Sequence, residues 1–192
     1  MTLEQNATDG DVEVVLFAKG QDEGLRNLVV LSPNRRKVIA NIAGDRAGVG
    51  LREFLLESAE PPDLAAVLAS FPRGSYFFFG LTVEGGCLTG TSRLSHKLAP
   101  ATTLLTPAEG EIVPVEQVVL SWATVPLADR YIVELNNEDT GAETKFDVFP
   151  PATSLAIPAQ FLTAGSEYQF GVGVKAADGN VTFVETTFFT MP

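Results

Sequence analysis

The chain has 192 residues, of which 45% are apolar and 19% charged, a balance that excludes an intrinsically disordered chain. Thirteen basic and 24 acidic side chains give a net charge of −11, which excludes nucleic acid as a partner, because phosphate binding rests on Lys and Arg. The single cysteine, Cys87, excludes an intrachain disulfide and a multi-cysteine zinc site, and no apolar run reaches the ~18 residues of a membrane-spanning helix.

Thirteen phenylalanines, with abundant Val and Thr, lean the chain towards strand. Thr2–Asp11 is a polar lead-in without a signal-peptide pattern. Val12–Lys19, Leu25–Ser32 and Lys37–Ile42 read as three strands, with turns at Gly20–Gly24 and Pro33–Asn34. Leu51–Glu57 fits helix or strand equally. Asp63 can cap a short helix reaching Phe71, whose apolar Leu64, Val67, Leu68 and Phe71 fall at helical spacing. Two further strands, Ser75–Val83 and Leu88–Leu98, are joined by a turn at Glu84–Gly86.

A short proline-bearing seam, Ala99–Thr103, divides a domain at 1–99 from one at 100–192 and predicts limited hinge freedom between them. Charge changes at the same place: residues 1–98 carry 10 basic and 12 acidic groups, residues 99–192 carry 3 and 12. Beyond the seam, Val118–Trp122 is a short strand ended by Pro126. In Arg130–Leu135 alternation puts Tyr131, Val133 and Leu135 on one face. Turn formers fill Asn136–Gly141, Phe146–Phe149 is extended, and Tyr168–Val174 alternates again. Asp178–Asn180 is a hairpin turn signal, and Val181–Thr190 closes the sheet. Short strands with turns every 8–12 residues indicate a β-sandwich.

Residues Pro107–Thr190 resemble a fibronectin type III domain. The features that carry the likeness are Pro107 at its start, Trp122 in the second strand, Tyr131 in the third, and Leu162–Tyr168 as the leucine and tyrosine corner. The resemblance implies that Trp122 lies in the core and that the Tyr168 hydroxyl bonds to backbone upstream. No Arg-Gly-Asp sequence occurs, so an integrin-binding loop is not implied. The first half resembles an Ig-like domain more loosely, and Gly74–Val83 echoes Gly165–Val174. The expected fold is therefore mainly β, two tandem sandwiches, the first with a helix near 63–71. An Ig-like domain followed by a fibronectin-like one looks like part of a bacterial envelope or secreted protein, which implies an extracellular or envelope setting and no known active site.

Residues that could carry chemistry are few. His96 is the single histidine, with Ser92 and Ser95 near it, but neighbouring strand residues face opposite ways, so Ser95 cannot readily meet it. Asp9, Asp11 and Glu13 have the oxygen-rich spacing of a calcium site without the glycine and distal glutamate of an EF-hand loop, and read as a solvated turn. Arg35–Lys37 is a basic triplet in a predicted turn, where solvated charge is the simpler reading than a polyanion site. Glu57, Glu60 and Asp63 could supply a glycosidase pair, although such proximity is cheap among so many acids. Cys87 has no basic neighbour in sequence and reads as a buried or half-buried structural thiol. No cofactor is expected.

The aromatic run Tyr76–Phe79 stands out, because Tyr76 and Phe78 face one way on a strand and Phe77 and Phe79 the other. A sandwich strand needs one apolar face, so the second must be covered by the 63–71 helix, the neighbouring domain or a partner. Cover from within the chain is expected, with the helix over one of the two faces, and if cover is missing Phe77 and Phe79 are the candidate binding residues. Function reads as a non-catalytic interaction or spacer module with a protein or glycan partner. The alternatives are a carbohydrate-binding accessory module, which needs an exposed aromatic row, and a small hydrolase, which needs His96 or a carboxylate pair in a cleft.

Overall fold

A computed structural model describes residues 1–20, 22–44, 50–59 and 64–192. The chain divides into two compact units, Met1–Glu4 with Asp11–Lys97, and Gln5–Gly10 with Leu98–Pro192. Both are built mostly from antiparallel strands, and the described residues are mainly β with one short α-helix.

The first unit has two sheets. One runs β1 (Thr2–Asn6, through Glu4 in this unit), β2 (Val12–Lys19) and β5 (Glu53–Glu57). The other has the order β4 (Val38–Ala43), β3 (Leu25–Leu31), β6 (Gly74–Thr82), β7 (Cys87–Leu94). The period of two along each strand selects the core: Val12, Val14 and Leu16 on β2, Leu28 and Val30 on β3, Tyr76 on β6 and Leu94 on β7 are buried. Each such side chain contributes about 1.5–3 kcal/mol relative to exposure. The Tyr76 hydroxyl donates to Pro72 O at 3.0 Å, and burial pushes its phenol up to about 12.

Several expectations change here. Thr2–Asn6, read as a polar lead-in, is a strand, because Leu3 gives it one fully buried side chain and its neighbours supply ladder partners. The ambiguous stretch resolves as β5, paired with β2 from Val15↔Glu57 to Lys19↔Glu53. The helix α1 spans Leu64–Ser70, and its expected cap, Asp63, lies outside the described residues. α1 packs chiefly on β2 and buries Val67, while Phe79 on β6 stays exposed.

The second unit is a sandwich of two sheets, the architecture that the stated resemblance implies. A sheet of β13 (Ser154–Ala156), β10 (Val119–Trp122) and β8 (Leu104–Thr106) faces one of β12 (Ala142–Val148), β11 (Arg130–Asn137), β14 (Glu167–Lys175) and β15 (Val181–Thr190). β9 (Glu111–Val113) lies parallel to β15. Trp122, 1% exposed, meets Tyr131 edge to face with centroids 5.4 Å apart. Val133, Leu135, Phe170, Val172, Val174 and Phe188 complete this core. In the corner the Tyr168 hydroxyl accepts the Thr163 N–H at 2.8 Å, and its ring stacks on Phe188. Gly179 supplies the positive φ, +93°, of the β14–β15 turn.

Gln5–Gly10 goes with this second unit. Ala7 N–H donates to Phe183 O at 2.8 Å, and Asn6 donates its amide to the Glu185 carboxylate at 2.8 Å. Seam residues also attach here: Thr182 donates its hydroxyl to Ala99 O at 2.8 Å, and Thr102 donates to Ala123 O at 2.6 Å.

Candidate functional site

The aromatic run is positioned by β6, which pairs with β3 on one side and β7 on the other. Alternation sends Tyr76 into the sandwich, while Phe77, Phe79 and Leu81 form a row on the outer face. Phe79 is 39% exposed, whereas Phe77 is half-buried beneath the Arg35 guanidinium, whose carbon lies 3.9 Å from the ring centroid. Such a stack is worth about 0.5–1 kcal/mol at an exposed site. Arg35 reaches it because the β3–β4 turn puts that residue at φ 57°, a left-handed conformation uncommon for a side chain larger than Asn. A groove of about 350 Å³ results, lined by Arg35, Phe77, Phe78, Phe79 and, from β7, Thr89, Gly90 and Thr91.

Cys87 is exposed, contrary to the expectation of a buried thiol. It stands opposite Leu81 on the outermost strand of its sheet, so its side chain shares the outer face on which Leu81 is exposed.

His96 lines a second cleft of about 680 Å³ with Arg73, Gly74, Arg93, Leu94, Ser95 and Lys97. Its Nε2 lies 2.8 Å from Phe71 O, and since a carbonyl only accepts, Nε2 carries the proton. The Ser95 hydroxyl accepts the Lys97 N–H at 3.1 Å. The ring is therefore anchored to backbone through the nitrogen that a Ser–His pair would use.

The other sequence candidates are dispersed. Asp9 lies in the turn after β1, Asp11 directly ahead of β2 and Glu13 within it. Among the described residues no three His, Cys, Asp or Glu side chains are grouped as a metal ion needs. Glu57 lies at the end of β5, and its proposed partners Glu60 and Asp63 are outside the described residues. Trp122 is buried, so no indole is offered to a sugar ring.

Two perturbed carboxyls occur in the second unit. Burial raises the Glu185 carboxyl above its ordinary range, opposed by the Asn6 hydrogen bond and assisted by the like charges of Glu134, Asp9 and Glu138. Hydrogen bonds from the Thr186 side chain and from the backbone and side chain of Thr187 lower Glu109.

Sequence reasoning missed the company that Arg35 keeps. The turn at Glu84–Gly86 sets the β6–β7 register, and counting back from it pairs Ser75 with Arg93, on the same face as Phe77. That count was available in the sequence and brings a second arginine to the aromatic row.

No family model matches the chain, and no curated protein matches it. Among solved structures, the FN1–FN3 domains of chicken CNTN1 are similar over 98% of this chain, at 12% identity and a TM-score of 0.38. The chain spans 64% of that structure's length. A two fibronectin type-III domain segment from chicken tenascin is similar over 96% of this chain and 95% of that one, at 13% identity and a TM-score of 0.35.

Proposed function

We propose that the chain is a non-catalytic interaction or spacer module that meets a macromolecular partner through the outer face of β6. The observation that carries this reading is the row Phe77, Phe79 and Leu81, with Phe79 39% exposed on a sheet face that α1 leaves open. Contiguous exposed apolar surface on a folded domain commonly marks an interaction site. Neither alternative gains a feature: the buried Trp122 withdraws the best sugar-stacking ring, and His96 spends Nε2 on Phe71 O. The envelope or extracellular setting is part of the proposal and rests on the resemblance stated above. Fractionation of a native host should then find the chain outside the cytosol.

The test replaces Phe79 with a photo-crosslinking amino acid in that host. A discrete adduct at position 79, absent when the same probe replaces Leu127, which is 94% exposed in the second unit, is expected. Equal labelling at both positions, or none at either, would remove the reading.

A further inference from the structure

We propose that the free edge of β7 accepts an extended acidic segment of a partner protein as an added strand, with Arg35, Arg73 and Arg93 holding its carboxylates. This rests on the interaction-module reading and names the partner's chemistry.

The backbone supplies the first half of the argument. β7 is the last strand of its sheet and pairs with β6 alone. Leu81 directs its N–H towards β3, where the Asn27 side chain accepts it at 3.2 Å. In an antiparallel ladder, opposed residues share that status, so Cys87, opposite Leu81, points its own groups away from β6. Every second residue follows, which leaves the N–H and C=O of Thr89, Thr91 and Arg93 aimed outward. None of these outward groups has a partner among the described residues. Natural edges are usually blunted by charge or proline, yet from Thr89 to Ser92 this one carries neither. Strand addition uses such an edge for affinity and alternate side-chain pockets for specificity. Here Thr89, Gly90 and Thr91 leave the groove against Phe77–Phe79 open to a long apolar side chain.

Charge supplies the second half. At one end of this sheet the Arg35–Lys37 turn comes against the start of β6: a Cβ on Gly74 would lie 2.8 Å from Pro33 Cβ. Arg73 precedes that glycine, Arg93 stands opposite Ser75, and Lys37 lies 5.9 Å from the Phe71 ring centroid. Among the described residues Arg35, Arg36, Lys37, Arg73 and Arg93 form no ion pair. In a chain of net charge −11, five cations without carboxylate partners at one end of a sheet are complementary to an anionic ligand. A sulfated polysaccharide would use the cations alone. An acidic strand uses the cations, the groove and the unpaired backbone together.

The probe is a labelled, capped heptapeptide of alternating valine and threonine with a glutamate at each end, titrated against the full chain at low salt. Saturable binding is expected, weakened about tenfold or more by raising salt, by a glutamine-for-glutamate probe, and by the double variant Arg73→Glu with Arg93→Glu. Thr91→Pro should abolish binding with the thermal midpoint held, because it removes an outward N–H and no ladder bond. A probe N-methylated at alternate amides makes the same test without touching the protein, and in one of its two registers it should fail to bind. Several results overturn the proposal: no binding of the acidic probe, equal binding of the glutamine probe, or indifference to N-methylation in both registers. So does binding of heparin alone, which would mark a polysaccharide surface, or a dimer that Thr91→Pro dissociates, which would make a second copy the occupant. If the probe fails while the adduct at position 79 still forms, the acidic strand falls and the module reading stands.

Discussion

Tyr168 spends its hydroxyl on one backbone donor. Tyr168→Phe leaves the Thr163 N–H without its acceptor, so the second unit should lose about 1–2 kcal/mol in denaturant melts. Trp122 poses a different balance. Its ring fills the core, but among the described residues its buried indole N–H finds no acceptor. Trp122→Ala should therefore cost about 3–5 kcal/mol through the cavity it opens. Trp122→Phe should cost clearly less, because the unsatisfied donor leaves with the ring. Glu185 carries a pH signature. A carboxyl raised by folding binds its proton more tightly folded than unfolded, so its contribution is fully present below the ordinary carboxylate range and is lost as pH rises through the raised value. Glu185→Gln, whose amide oxygen can still accept from Asn6, should raise the melting temperature at about pH 7 and leave it little changed at about pH 3. A drop at neutral pH would show that the carboxylate is stabilising after all. The Tyr168 corner and the Trp122 burial were legible from residue type and spacing. The Glu185 environment was not, since it depends on Asn6 and Asp9 arriving from far earlier in the chain.

Elements with strong alternation were readable on their own. β11 places Tyr131, Val133 and Leu135 inward, and β15 begins and ends where its turn signal and apolar run predict. β1, β8 and β13 were not readable, because their three to five residues carry one or two apolar side chains and their partners decide their state. The helix shows a different limit. Its apolar residues did require a surface, but β2 supplies one, and spacing within a helix cannot choose between two sheets. Phe77 and Phe79 consequently differ in cost. Phe79→Ser removes a ring that is 39% exposed and should cost no more than about 1 kcal/mol. Phe77→Ser also abolishes the Arg35 stack and should cost more, read as the loss of the first unit's melting transition to lower temperature. Equal effects of the two would mean that the outer face is packed more tightly than its exposure indicates.

At the scale of the molecule, the two domains read from the sequence did not include the return of residues 5–10 to the later unit. No local pattern marks that segment; only its bonds to β15 reveal it. Trp122 is the single tryptophan, so its fluorescence reports the second unit alone. Ala7→Pro removes the donor to Phe183 O and should lower the transition seen by that fluorescence by about 1 kcal/mol, although the substitution lies far outside residues 98–192. An unchanged transition would mean that the segment adds nothing to the later unit.

That segment also sets an order of events during synthesis. The Thr8 hydroxyl accepts the Glu185 N–H from a residue 177 positions later, so this contact closes only after β15 has left the ribosome. The residues of the first unit can collapse long before then, while Gln5–Gly10 stays without its partners. Completion of the later unit is a long loop closure, and such closures are slow because chain entropy is surrendered before any contact returns it. A translation pause after β14 would therefore prolong the interval in which both strips of backbone, at residues 5–10 and along β14, are open to wrong neighbours.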